Sequence, residues 1–267
     1  MLHTAGRHGL PELATDVLRV LKTIGVELQE YHFAPLIEAF CRTNRIKEAL
    51  STLTLIRQNN VEPNADTAHF IFDCIRVNTD AIDAAWDALE SLHADGQTID
   101  ITAINVVIQA SVALGNLQRA FGTYKMCAEL GVEPTLDTYH FLLSGCIAAR
   151  SRELGDRLVT DLKEAKLKPD ARTYERLIVL CLSGDTYEDA FFYLEEMKAE
   201  KLVPPVSVYE AIIQRCVLEK DERYELAVKE LKECGYTVSS ALQRVIVGEG
   251  EAGNGQYKRR RRGQGRG

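Results

Sequence analysis

Seven cysteines and six histidines are the residues best equipped for metal or nucleophilic chemistry, but their spacing points elsewhere. No C-x-x-C pair occurs, and Cys146, Cys181 and Cys216 recur every 35 residues, as a packing column of small buried side chains would. So many free thiols suit a reducing compartment. The histidines are scattered, and no G-x-S-x-G, H-E-x-x-H or phosphate-loop pattern is present. Glu195 and Glu196 are adjacent on a helical pattern, so they point apart and cannot share acid–base work. These residues predict no catalysis, metal, cofactor or small-molecule substrate; the expectation is a binding surface.

The other chemistry-bearing segment is the end, GNGQYKRRRRGQGRG. Lys258, Arg259, Arg260, Arg261 and Arg262 are candidate phosphate contacts, and Tyr257 is a candidate stacking ring. The same composition also reads as a disordered, solubilising end over 248–267, or as an import-like basic cluster. After Gly248 there are six bases and two acids, which leaves 26 of the 32 bases and 37 of the 39 acids in the body before it. An acidic body does not gather polyanions by its bulk field, so any nucleic-acid binding must come from local placement or from the tail. No apolar run is long enough to span a bilayer. The opening MLHTAGRHGLPEL has neither a secretory nor a transit-peptide pattern.

The elements that position these residues come from self-similarity. Ala14, Ala49, Ala85, Ala120, Gly155 and Ala190 form a small-residue column with steps of 35, 36, 35, 35 and 35. Leu18, Leu53, Leu89, Tyr124, Val159 and Leu194 keep the same register, as do Leu21, Ile56, Leu92, Cys127, Leu162 and Met197. In the other half of each unit the apolar pairs Leu36/Ile37, Ile71/Phe72, Val107/Ile108, Leu142/Leu143, Leu177/Ile178 and Ile212/Ile213 recur. Three- and four-residue spacings within each half predict two amphipathic helices, and hence an all-α solenoid of 35-residue helix-turn-helix repeats. Gly25, Asn60, Gly96 and Gly131 mark left-handed caps, with Pro63, Pro134, Pro169 and Pro204 following such points. Lys166 and Lys201 occupy the cap column later, so those helix ends are expected to stop less sharply. The one-residue insertion is expected between Arg76 and Ile82, in an inter-helix turn.

The units YHFAPLIEAFCRTNRIKEALSTLTLIRQNNVEPN and TLDTYHFLLSGCIAARSRELGDRLVTDLKEAKLKPD resemble pentatricopeptide repeats of the fungal or organellar type. Tetratricopeptide repeats run at 34 residues and favour a small residue where this chain has Ile37, Phe72, Ile108, Leu143, Ile178 and Ile213. The resemblance divides the chain into a partial repeat at 1–29 and five full repeats at 30–64, 65–100, 101–135, 136–170 and 171–205. A degenerate sixth repeat with a capping helix over Ser239 to Val247 fills 206–247. Met1 falls inside the first helix of a unit, so the chain is expected to be a piece of a longer solenoid. Its face carrying Leu13, Val17, Leu18 and Leu21 would then be partly uncovered.

The resemblance implies single-stranded RNA binding in mitochondria, in the processing, stability or translation of organellar transcripts, alongside other proteins of the organellar gene-expression machinery. It also implies that each repeat reads about one base with side chains of its inner helix. The first base-facing column is then Ala34, His69, Asn105, His140, Glu175 and Glu210, and the second is Asn64, Asp100, Thr135, Asp170 and Pro205. Asn105 with Thr135 resembles a pyrimidine-preferring pair. Glu175, Glu210 and Pro205 depart from the family pattern, and its basic residue late in the first helix occurs once, as Arg42. Read without the resemblance, both columns are a solvated polar surface. The other reading of function is a protein-interaction scaffold, such as a subunit or docking factor of an organellar ribosome.

Overall fold

The computed structural model describes residues 1–248, apart from the side chains of residues 65 and 66. Among these the regular secondary structure is helical. The basic-tail residues Tyr257 to Arg262 lie outside the described residues. Helices alternate between an inner member, which starts each repeat, and an outer member, which ends it. The inner helices are α1 (Leu2–Arg7), α3 (Glu30–Arg42), α5 (Ala65–Ile75), α7 (Ile101–Ala113), α9 (Leu136–Ala148), α11 (Ala171–Leu182) and α13 (Val206–Glu219). The outer ones are α2 (Pro11–Thr23), α4 (Ile46–Gln58), α6 (Thr79–Ala94), α8 (Leu117–Lys125), α10 (Arg152–Glu164), α12 (Glu188–Ala199) and α14 (Arg223–Glu233). A last helix, α15, spans 240–248. The fold is an α-solenoid of helix-turn-helix repeats.

Two compact units divide the helices, one of residues 1–149 and 156–167, the other of 150–155 and the chain from 168 onward. In the first unit α1, α3, α5, α7 and α9 pack in succession, each on the next, and their partners flank them. The apolar pairs make that stack: Leu36, Ile37, Ile71, Val107, Ile108, Leu142 and Leu143 are all buried. Each contributes about 1.5–3 kcal/mol. In the second unit α11 packs on α13, and Ile178, Tyr209, Ile212, Ile213, Leu194 and Leu231 share one core that also takes Leu242 of α15. On α2, Leu18 is buried, Leu13 is exposed, and Val17 and Leu21 are half-buried.

The small-residue column lets paired helices approach. Ala14, Ala49, Ala85, Ala120 and Ala190 are fully buried. At Gly155 an added Cβ would lie 2.1 Å from Leu180 Cδ2, so this site has no room even for alanine's methyl group without moving Leu180.

Two sequence expectations need correction. Lys166 and Lys201 take the left-handed conformation, with φ of 55° and 60°, and their helices stop as sharply as those capped by Gly25 or Gly96. The reason is a shared closing bond. The N–H of Val26, Val61, Gln97, Val132, Leu167, Leu202 and Tyr236 each donates to the carbonyl five residues earlier, at 2.9–3.2 Å. The acceptors are Leu21, Ile56, Leu92, Cys127, Leu162, Met197 and Leu231, so packing of this apolar column holds the cap whatever residue occupies it. The insertion, in turn, is not confined to a turn. Helix α6 begins six residues before Ala85, whereas α4, α8 and α10 begin three before their small residues, so the added length extends the first turn of α6. Asn78 caps that turn by accepting the N–H of Ala81 at 2.8 Å.

Candidate functional site

Each second-column residue is the N-cap of an inner helix: Asn64 of α5, Asp100 of α7, Thr135 of α9, Asp170 of α11 and Pro205 of α13. The first column lies five residues further on. This offset places both columns at the start of the inner helices, where orphan N–H groups need acceptors. Asn64 Oδ1 accepts the N–H of Thr67 at 2.9 Å, and Asp170 Oδ1 accepts both the N–H and hydroxyl of Thr173 at 2.7 and 2.8 Å. Asp100 Oδ1 accepts the N–H of Thr102 at 2.8 Å while Oδ2 is ion-paired with Arg57 of α4. With its side chain 1% exposed, Asp100 has both oxygens committed and is not presented to a ligand.

The first column is more varied. Ala34 is half-buried and offers no hydrogen bond. His69 is exposed, with Nε2 3.0 Å from Asp73 Oδ2 and its ring stacked at 6.3 Å on Phe72. His140 is buried, with Nδ1 3.6 Å from Asp137 Oδ1. Glu175 and Glu210 are half-buried, and Glu175 accepts the hydroxyl of Ser207, two residues past the Pro205 cap. Arg42 ends α3 with its guanidinium on Glu38 Oε1, at 2.9 and 3.0 Å, and remains half exposed.

At the α7–α9 step the structure brings one residue from each column together. Asn105 Oδ1 accepts the hydroxyl of Thr138 at 2.7 Å, and the Thr138 oxygen accepts the N–H of Thr135 at 3.0 Å. Thr138 is fully buried and Asn105 nearly so. Among the described residues the Asn105 amide N–H2 has no hydrogen-bond partner, so what this position offers a ligand is a donor. His69 and Asp100 are not joined in this way: one pairs with Asp73, the other with Arg57. Thr138 and Ser207 were missed from the sequence. The signal for Thr138 was the T-x-x-T capping spacing from Thr135, which recurs from Asp170 to Thr173.

The repeating cysteines do not contribute reactive groups. Burial pushes the thiol of Cys146 up to about 12 and that of Cys216 up to about 11, so both stay protonated as packing residues. Among the described residues no group of three or more His, Cys, Asp or Glu side chains is placed to hold a metal ion, and no helix is long and apolar enough to cross a membrane. A groove of about 600 Å³ beside α6 and α8 is lined by Trp86, Glu90 and Arg119, and no residue of the two candidate base-facing columns lines it.

Comparison with known proteins agrees with the helix-turn-helix repeat fold. A family profile described as pentatricopeptide repeat-containing protein matches residues 1–127, and one described as pentatricopeptide repeat domain matches 157–219. Together they span more than half of the chain. Among solved structures, the pentatricopeptide repeat protein PPR10 from maize is similar with a TM-score of 0.53 and 21% identity, over 92% of this chain and 35% of that one. PPR10 in complex with an 18-nt psaJ RNA element is similar with a TM-score of 0.51 and 18% identity, over 93% of this chain and 41% of that one. The chain therefore spans well under half the length of these structures. No curated protein matches its sequence significantly.

Proposed function

The chain belongs to the pentatricopeptide repeat family, and on that premise we propose that it binds single-stranded RNA along its inner helices as a non-catalytic module of mitochondrial RNA processing, stability or translation. The observation that carries this reading is the Asn105–Thr138–Thr135 network, which gives a base-sized ligand a fixed donor at a step between successive inner helices. An amide N–H2 held there suits a base edge with a carbonyl acceptor, as pyrimidines have, while Thr138 prevents the amide from swinging away. His69 and Asn64, exposed at the preceding steps, extend the polar track, and Arg42 is placed for a phosphate. His140, Thr135 and Asp170 act mainly by shaping the surface, and Asp100 by capping α7. The tail from Lys258 to Arg262 adds phosphate contacts without base choice.

A second reading, a scaffold for other proteins of organellar gene expression such as a ribosome, is favoured by the acidic body and by Glu175 and Glu210 in the base-facing column. Fluorescence anisotropy with short single-stranded RNAs separates the two. RNA binding in the micromolar range, weakened about fivefold by Asn105→Ala as removal of one hydrogen bond requires, supports the first. Deleting residues 249–267 should then flatten the salt dependence by about 0.7 for each phosphate that the tail neutralises. Absence of binding at low salt would favour the scaffold.

A further inference from the structure

The seven cysteines divide by environment. Cys146, Cys181 and Cys216 are buried at the same register of successive inner helices. Cys41 and Cys74 belong to no such column. They lie near the ends of α3 and α5, which pack directly on each other, and both are partly accessible. The Cys74 thiol donates to the carbonyl oxygen of Cys41 at 3.6 Å, which sets its sulfur against the Cys41 backbone where α3 meets α5.

We propose that Cys41 and Cys74 are a redox-modification site, at which a small soluble disulfide converts the two thiols into a covalent link between neighbouring inner helices. The environment assigns the roles. Its partner Cys41 lowers the Cys74 thiol to about 7, against the opposing effect of burial. Cys41 is pushed up, first by Cys74 and then by burial, with Glu38 nearby. Cys74 is also the less buried of the two, so it meets the reagent first as the attacking sulfur and Cys41 is the resolving one.

The Cys74 thiolate attacks one sulfur of the small disulfide. Its S–S bond breaks, one small thiolate leaves and takes a proton, and Cys74 is left as a mixed disulfide. Cys41 then gives up its proton and attacks the Cys74 sulfur, expelling the second small thiolate, which takes that proton. The protein loses two hydrogens and two thiols become one disulfide; the reagent gains them and becomes two thiols. Closure requires the α3 and α5 ends to bring the two Cα atoms to roughly 4.4–6.8 Å. Cys234 is exposed, but its sulfur faces the Tyr209 hydroxyl at 3.5 Å, so it has no resolving thiol there and stops at the mixed disulfide.

The test needs no RNA and stands apart from the proposed RNA binding. The full chain is treated with oxidised glutathione at neutral pH, alkylated, digested without reductant and analysed by mass spectrometry. The expected product is a peptide pair joined through Cys41 and Cys74, formed at least about tenfold faster than the same link in urea, where the two helix ends are no longer adjacent. Cys41→Ser should leave a persistent glutathione adduct on Cys74, and Cys74→Ser should slow reaction at Cys41. The proposal is overturned if both cysteines are recovered alkylated while Cys234 has reacted, or if both carry glutathione with no link between them.

Discussion

The step from α7 to α9 in the first unit and the step from α11 to α13 in the second use the same acceptor position and arrive at opposite chemistry. In each, a buried apolar pair seats one inner helix on the next, and the fifth residue after an N-cap accepts a hydroxyl from the start of the following helix. Asn105 keeps an amide donor and Glu175 keeps a carboxylate. The stack is indifferent to that change because its cohesion lies in Val107, Ile108, Leu142 and Leu143 on one side and Leu177, Ile178, Ile212 and Ile213 on the other. Repeat geometry and ligand chemistry are thus carried by different residues, and one can erode while the other persists.

The largest effect expected of a single change falls on the stack. Ala120→Leu overpacks a fully buried position in the first unit and should lower stability by about 1–3 kcal/mol, read as a fall in melting temperature; an unchanged temperature would refute the close-approach role of the small column. The same substitution at Gly155, already without room for a methyl, asks whether the second unit responds alike.

The second unit also carries a charge cluster whose contribution depends on pH. Arg223 donates to Asp221 and makes a two-pronged pair with Glu188, while the Tyr187 hydroxyl donates to Asp221 at 2.8 Å. Hydrogen bonding from Arg223 is the main cause that holds the Asp221 carboxyl down, from 3.8 to about 2. A depressed folded value means the stabilisation is fully present above pH 4 and is lost as pH falls towards 2, about 1–2 kcal/mol in all. Melting curves of the wild type and Asp221→Asn should therefore differ at pH 7 and converge by pH 2.

A smaller change tests the contrast in ligand chemistry directly. Glu175→Gln removes a carboxylate from the candidate base-facing column and, on the proposed RNA binding, should tighten that binding severalfold, by about 1 kcal/mol, without altering the melting temperature by more than a degree or two. Unaltered affinity would mean that the second unit stands outside the RNA path. The smallest expected effect is at a cap: Lys201→Gly relieves a left-handed side chain and should stabilise by about 0.5 kcal/mol, since the gain is offset by the freer unfolded chain.

Much of this was legible before the coordinates because packing columns repeat. The apolar pairs, the small residues and the cysteine column each recur about every 35 residues, and stacking of successive helix pairs brings equivalent places of the repeat into line. The candidate columns could be numbered for the same reason, since their offset from the apolar pairs never changes. What the interval does not contain is the partner of each polar group. Asp100 and Asp170 occupy equivalent positions, yet an arginine of a different repeat, Arg57, takes up the first, and Thr173 of its own helix takes up the second.

Sequence by itself therefore determined the repeat, its helical content and the register of its buried faces, all of which follow from hydrophobic periodicity within one or two turns. The tertiary structure alone decided which polar residues remain available: that Asn105 is anchored by Thr138, that Asp100 is buried against Arg57, and that Cys41 meets Cys74. Hydrogen bonds and ion pairs act over a few ångströms between side chains some 33 to 43 residues apart, and only the packed helices set those distances.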